Sequence, residues 1–357
     1  MSEKKIKSGI EIHQQLETHK LFCNCPSILR SDEPEFVVER KLHAVAGESG
    51  VVDVAAKHEA EKDKWFSYQG YDTTCLIELD EEPPRLINDE ALMTGLHVAL
   101  LLNCEILPIS QIMRKTVVDG SNTSGFQRTV LIARNGYVDT EEGRVRIDNM
   151  SLEEDAARII DKENRVDEKV IRPPNLEENK IDKDNKIVFR LDRLGIPLVE
   201  IGTAPDIKSP EQCKEVALHI GDILRSCKVK RGIGTIRQDI NVSIAGHPRV
   251  EIKGFQDVKM FVPTINNEIK RQEKNLQQVQ LQKLKQQKLN GEVRNALPNG
   301  KSEFLRPMPG SARMYVETDH PRFPLGELYR EVGVPELLTE KVMSLEKKYH
   351  LNQHLAR

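Results

Sequence analysis

The 357-residue chain contains no apolar run near the roughly 18 residues that a bilayer crossing requires. Its first residues, "MSEKKIKSG", lead into no apolar signal core. A membrane span and an export signal are therefore not expected, and the cytoplasm is the default compartment. The chain also lacks a charge bias: 53 basic against 56 acidic residues leave a net −3. A nucleic-acid partner would have to be met by a local basic patch. The densest candidate is "RSCKVKRGIGTIRQ", with Arg225, Lys228, Lys230, Arg231 and Arg237, and a solvated loop is its plainer reading. Cysteine has no framework spacing. Cys23 and Cys25 form one C-x-C that no C-x-x-C completes, so free thiols are expected and zinc is unlikely. The G-x-x-x-x-G-K-[ST] of a Walker loop is missing as well.

What is there is a polar, globular composition, 38% hydrophobic and 31% charged, long enough for about two domains. Residues 1–264 alternate strand and helix signals as one α/β-type unit. In "SGIEIHQQ", Ile6, Ile10 and Ile12 point one way and Lys7, Gly9, Glu11 and His13 the other. That polar side either faces water or lines a site where a carboxylate and an imidazole act together. "SLEEDAARII" carries the spacing of a capped helix, Ser151 with Glu154. "SPEQCKEVALHIGDILRSC" is the clearest helix, capped by Ser209, opened by Pro210 and striped with Cys213, Val216, Ala217, Ile220, Ile223, Leu224 and Cys227. "KIVFRLDRLGIPLVEIGT" reads as strand, turn at Gly195 and Pro197, strand. "TIRQDINVSI" and "RVEIKGF" alternate strictly, placing Arg237, Asp239 and Asn241 on one face and Arg249, Glu251 and Lys253 on another. Residues 265–302, rich in Gln and Lys, read as an exposed helical arm. The last residues start a helical pattern that stops early.

Several acids interrupt this patterning. Glu200 breaks the apolar "IPLVEIG", where an unpaired carboxylate is costly. Asp239 shares a face with Arg237, and Glu11 with His13; Glu154 is a helix cap or a fourth acid of the same set. Converging on one sheet face, they would make an oxygen-rich pocket with one imidazole, suited to Mg²⁺ beside nucleotide phosphates. The stretch "RKTVVDGSNTSGFQRT" sets Ser121, Asn122, Thr123 and Ser124 between Lys115 and Arg128, offering donors to anionic oxygens; a plain surface loop is the other reading.

Six ordered motifs, "GIEIHQQLETHKLFCNCPS", "SLEEDAAR", "DRLGIPLVEIGTAPDI", "GTIRQDINVSI", "VEIKGFQD" and "RPMPGSARMYVETDHP", closely resemble the B-type and E-type subunits of the amidotransferases that convert Glu-tRNA(Gln) to Gln-tRNA(Gln). The "DGSNTSGFQRT" loop and "RPMPGSARMYVETD" look like the archaeal, E-type branch of that family. The resemblance covers nearly the whole chain apart from residues 270–300. It implies an α+β fold of the glutamine synthetase/guanido kinase class, a mostly antiparallel sheet flanked by helices. By motif, it carries a Mg²⁺ site onto Glu11, His13, Glu154, Glu200 and Asp239, so the polar side of the first strand is expected to face a metal–phosphate site. Arg237 becomes a candidate phosphate clamp, and Lys115, Ser121, Asn122, Thr123, Ser124 and Arg128 candidates for binding the nucleotide or the tRNA 3′ end. The implied reaction uses ATP to phosphorylate the γ-carboxylate of tRNA-bound Glu, after which ammonia displaces phosphate.

No amidase Ser-Ser-Lys pattern and no Cys/His glutaminase signature are present, so the ammonia is expected from a separate asparaginase-like, D-type subunit, with the chain a homodimer inside a heterotetramer. Expected boundaries are a catalytic cradle at 1–264, the arm at 265–302 where the family's insertion would sit, a return to the cradle at 303–325, and the start of a C-terminal helical domain at 326–357. A non-catalytic tRNA-binding scaffold and an ammonia ligase for a free carboxylate are the alternatives.

Overall fold

The computed structural model describes residues 6–43, 50–52, 54–62, 64–160, 170–171, 186–255, 257–281, 289–308, 314–326 and 332–349. Residues 309–313 of "RPMPGSARMYVETD", residues 282–288 of the expected arm, and residues 327–331 and 350–357 of the expected C-terminal segment lie outside them.

Eleven strands form one large, mostly antiparallel sheet. Its centre is the first strand, Ile6–Gln15, between Ile236–Ile244 on one side and Pro197–Thr203 on the other. Outward from Pro197–Thr203 follow Gly143–Glu154, Phe126–Thr140, Ile112–Thr116 and Met314–Val316. Outward from Ile236–Ile244 comes Val250–Phe255, which pairs in parallel with Glu292–Ala296, and Ser302–Pro307 closes that edge. The region expected as an exposed helical arm thus supplies the strand Glu292–Ala296, and the helix that enters it, Phe261–Leu281, buries Phe261, Ile265 and Gln272.

Alternation decides which side of the sheet is which. Ile10, Ile12, Ile201, Ile240, Val242 and Leu152 turn to a single apolar core, and helices Asp89–Leu101, Pro210–Arg225 and Phe261–Leu281 pack on that side. Helix Pro210–Arg225 follows its sequence closely. Ser209 Oγ accepts from the Gln212 amide at 2.9 Å, a cap worth about 1 kcal/mol. Cys213, Val216, Ala217, Ile220, Ile223 and Leu224 are buried as the stripe requires. The opposite face carries the polar half of each strand, and among the described residues no helix covers its centre.

A second sheet of five short strands, Val170–Ile171, Phe36–Arg40, Trp65–Gly70, Lys186–Arg190 and Arg158–Ile160, has its own small core of Phe66, Tyr68, Phe189, Leu191 and Leu194. "KIVFRLDRLGIPLVEIGT" is strand, turn and strand, with Gly195 at φ +83°. Its two strands belong to different sheets rather than to one hairpin.

"SLEEDAARII" departs from expectation. It ends the Gly143–Glu154 strand and then forms Arg158–Ile160 instead of a capped helix. Met150 and Leu152 alternate into the core, and Ser151 pairs across to Glu200 in the sheet. Tertiary pairing outweighs a local capping pattern of modest strength. Among the described residues no helix is long and apolar enough to cross a membrane.

Candidate active site

Strand register arranges the polar face in rungs that run across the sheet. One rung is Asp239–Glu11–Gly202–Asn149, the next Arg237–His13–Glu200–Ser151, and the third Gln15–Leu198–Glu153–Thr129. Side chains one rung apart stand about 7 Å from each other along a strand, close enough for long carboxylates to converge. Glu11, His13 and Glu200 offer ligand atoms within 4.8 Å of one another. His13 Nε2 lies 4.0 Å from Glu200 Oε1 and 3.9 Å from Glu153 Oε2. Lys115 Nζ closes the far side, bonded to Glu153 and 3.7 Å from Glu200.

Three carboxylates therefore surround one imidazole and one ammonium. Glu153 is almost fully buried; burial pushes its carboxyl pKa up, and Glu200 beside it adds to the rise. Such a surplus of negative charge calls for a cation. The donor set, oxygen-rich with one nitrogen, fits a hard divalent ion. Glu11, His13, Glu200 and Glu153 are the residues that could hold Mg²⁺.

Glu11 also borders a second group with Asp239 and Glu251. There the chain supplies its own cation: Lys253 Nζ lies 2.6 Å from Asp239 and 2.7 Å from Glu251. Burial alone would lower the Lys253 pKa, but Asp239, Glu251 and Glu11 outweigh it and raise it. Asp239 accepts from the Gly254 amide as well, at 3.2 Å. Its carboxylate is next to the cage and already engaged.

Arg237 reaches the same face, held at 2.7 Å by Asp155, which Gln15 Nε2 also grips at 2.6 Å. Asp155 is fully buried and fixes where the guanidinium points.

The remaining expected residues lie elsewhere. Glu154, one residue past Glu153, faces the other side of its strand and takes the Arg128 guanidinium at 3.5 Å and the Arg128 amide at 3.2 Å. Arg128 is buried and donates to Glu317 at 2.8 Å, while Arg114 donates to the same Glu317 at 2.6 Å. Both guanidiniums stack near Phe126, at 5.2 and 4.6 Å. Arg128 is thus a buried tie between the sheet and the segment after Val316. In the loop, Asn122 and Thr123 are buried, and Thr123 Oγ1 donates to the Glu78 carbonyl at 2.5 Å. Gly120, at φ +91°, packs on Phe66 and Phe189 where no Cβ would fit. Ser121 and Ser124 are half-exposed.

Glu153, Asp155, Glu251, Lys253 and Glu317 escaped the sequence reading of the site. Glu251 and Lys253 had a signal, the alternation of "RVEIKGF". Glu153 would have had one had "SLEEDA" been read with strand periodicity, which puts it on the face of Ser151. Asp155 and Glu317 depend on tertiary partners and had none.

A contact across the sequence bears on the expectation against zinc. Cys75 and Glu78 come beside Cys23 and Cys25, with ligand atoms within 4.8 Å. Hydrogen bonds from Cys23 and Cys25 hold the Cys75 pKa below its ordinary value. One Glu78 oxygen holds buried Lys20 and the other accepts from the Cys75 amide at 2.8 Å. Three thiols with an open fourth position could bind zinc. All six cysteines are free, as expected.

Residues 6–330 match the family described as the GatB/GatE catalytic domain. The E subunits of glutamyl-tRNA(Gln) amidotransferases from several archaea are similar to the chain. That of Methanocaldococcus jannaschii is 53% identical over 270 residues, 75% of this chain and 40% of that protein. That of Natronomonas pharaonis is 49% identical, over 74% and 40%. That of Archaeoglobus fulgidus is 46% identical over 313 residues, 84% and 47%. The chain spans less than half the length of these curated relatives.

Proposed function

Because the chain belongs to the GatB/GatE catalytic-domain family, we propose that it performs the kinase and amidation steps of a tRNA-dependent amidotransferase. The observation that carries this reading is the excess of carboxylate around His13 on the polar sheet face. A glutamate side chain on tRNA(Gln) is a poor electrophile at neutral pH. Transfer of the ATP γ-phosphoryl group to its γ-carboxylate oxygen, with loss of ADP, converts that oxygen into a leaving group. Ammonia then attacks the carbonyl carbon of the γ-carboxyl group, phosphate departs with the electron pair of the C–O bond, the nitrogen loses a proton, and Gln-tRNA(Gln) results.

Each residue has a part in this scheme. Glu11, His13, Glu200 and Glu153 would hold Mg²⁺, which would neutralise charge on the phosphate oxygens. Asp239 completes the set through Lys253, whose ammonium lies between Asp239 and Glu251 beside Glu11. Arg237, aimed by Asp155, clamps the transferring phosphoryl group. Lys115 meets the nucleotide from the other end, and Ser121 and Ser124 remain candidates for binding it. Glu154, proposed by motif as a further ligand, is better explained as the partner of Arg128. The fold is read as the glutamine synthetase/guanido kinase cradle, whose acyl-phosphate chemistry would agree with this scheme. Ammonia comes from a separate asparaginase-like, D-type subunit, with two copies of this chain in a cytoplasmic heterotetramer.

The test supplies purified protein with γ-³²P-ATP, Mg²⁺, charged Glu-tRNA(Gln) and free ammonium. The expected outcome is phosphate release that depends on the charged tRNA, together with glutamine recovered from it. Glutamate recovered unchanged while the tRNA still binds would sink the catalytic reading and leave a scaffold.

A further inference from the structure

A cavity of about 480 Å³ lies against helix Phe261–Leu281, on the helix side of the large sheet and away from the acid cage. Its size falls among small-ligand sites, roughly 300–1,000 Å³. The helix, the turn that carries His247, the start of strand Glu292–Ala296 and the edge strand Ser302–Pro307 border it. The helix is pinned beside that turn: Gln272 accepts from the Ile244 amide at 3.0 Å and donates to the Val242 carbonyl at 3.2 Å. No residue assigned to the reaction lines the cavity.

Its charges cancel. Arg271 lies 2.7 Å from Glu268 and 2.7 Å from Glu292, and Arg294 lies 3.1 Å from Glu292, two guanidiniums against two carboxylates. The remaining titratable group of the lining is His247, whose Nδ1 is 2.8 Å from the Pro248 carbonyl. A carbonyl only accepts, so Nδ1 carries the hydrogen and Nε2 of the neutral ring is an acceptor. Among the described residues it meets only the Asn275 side-chain amide, at a long 3.4 Å. His247 is 8% exposed, and a buried acceptor so weakly satisfied suits a ligand that donates. Three carboxamides share the lining, Asn275, Gln278 and Asn290, and among the described residues the last two make no hydrogen bond. Phe304 joins them, 55% exposed and with no other ring against it among the described residues.

We propose that this cavity binds a purine base, adenine best, stacked on Phe304 and read at its edge by the carboxamides and His247. The chemistry of the lining carries the choice. An anion would find both guanidiniums already held by acids. A metal ion would find one imidazole and carboxylates committed to arginine. A wholly apolar ligand would bury the imidazole and the carboxamides without partners. A flat neutral ring with donors and acceptors along its edge answers every feature. One carboxamide can pair with both the N6 amine and N7 of adenine, and an aromatic side chain takes the face of any base. His247 Nε2 accepts from an amine. The base belongs either to a free nucleoside or to an RNA strand with one base unstacked, and the recognition is the same. The site is separate from the amidotransferase centre and does not depend on that reading.

Equilibrium dialysis of the intact 357-residue chain against tritiated adenosine, and against a single-stranded adenylate decamer, tests this. Phe304→Ala is expected to weaken binding about tenfold by removing the stacking face. Asn275→Leu, close in shape but without donor or acceptor, is expected to weaken it about tenfold as well. 7-Deazaadenosine, which lacks the N7 acceptor, should bind more weakly than adenosine to the wild-type chain and no differently to Asn275→Leu. Phe304→Trp should keep the affinity and add a fluorescence that adenosine quenches, Trp65 being the one other tryptophan. Glu200→Gln, which alters the cage instead, should leave adenosine binding unchanged. Binding of adenosine itself makes the ligand a free nucleoside, and binding of the decamer alone makes it an unstacked RNA base; either upholds the site. No binding of either probe, or binding that ignores both Phe304→Ala and Asn275→Leu, overturns it. Adenosine binding lost with Glu200→Gln and kept with Phe304→Ala would put the base in the cage and overturn it too.

Discussion

Two charged clusters lie one strand face apart, built from the same residue types in different proportions. On the polar face, Glu11, Glu153 and Glu200 gather around His13, with Lys115 held by Glu153. On the other side of the same strands, Glu154, Glu317 and Asp319 meet Arg114 and Arg128, three acids against two guanidiniums. The second cluster is hydrogen-bonded, with each buried acid met by a guanidinium. The first crowds three acids around one imidazole, a surplus that a cation would relieve. Pairing, more than residue type, separates a site from a latch, and Glu153 and Glu154 show it because adjacent positions fall into different clusters.

The latch can be broken from its centre. Glu317 is fully buried and holds both arginines; burial tends to raise its pKa, but Arg114, the Asp319 amide and Arg128 bring it below the usual carboxylate value. Glu317→Ala leaves the buried Arg128 with Glu154 alone and should cost about 3–5 kcal/mol of folding stability. Urea unfolding followed by circular dichroism measures it. A loss below about 1 kcal/mol would mean the cluster does not tie the segment after Val316 to the sheet.

How far the sequence foretells these clusters follows from what each depends on. Helix Pro210–Arg225 was legible down to its cap and stripe, because both are local and periodic. Strands Ile6–Gln15 and Ile236–Ile244 were legible with the correct face, since strict alternation leaves one choice. That Glu11 and His13 meet Glu200 was suggested by a carboxylate inside an apolar run. The latch was illegible, because Glu317 is 189 residues from Arg128 and neither looks misplaced alone. "SLEEDAARII" misled for a related reason: its helix signal is local, while the pairing of Ser151 with Glu200 that makes it a strand is not. The thiols show the same limit, Cys75 being far in sequence from Cys23 and Cys25.

The cage should respond in the opposite sense to the latch. Glu200→Gln keeps the shape and removes one of three crowded negative charges. Mg²⁺ affinity and tRNA-dependent phosphoryl transfer should each fall about 100-fold. Stability without metal should hold or rise, since like charges held together oppose folding. Isothermal titration with Mg²⁺ and a thermal melt on the same sample give both halves of the comparison. Unchanged Mg²⁺ affinity would take Glu200 out of the cage. A large loss of stability would place it with the latch.

The finest distinction is between neighbours. Glu153 shares the face of His13 and Lys115, whereas Glu154 accepts from the Arg128 amide and guanidinium. The sequence motif singles out Glu154 as the metal acid; the geometry favours Glu153. Burial raises the carboxyl pKa of both, and glutamine is sterically mild at either position, so the two variants differ in which charged partner each loses. Glu153→Gln should therefore cost little stability and lower Mg²⁺ affinity about tenfold. Glu154→Gln should leave Mg²⁺ affinity within about twofold and cost about 1–3 kcal/mol, by weakening a charged hydrogen bond to a buried arginine. The two variants are compared by Mg²⁺ titration and urea unfolding under one condition. A reversed pattern, with Glu154→Gln losing the metal and Glu153→Gln losing stability, would restore Glu154 to the site. It would also mean that the strand turns over at this point when the metal binds.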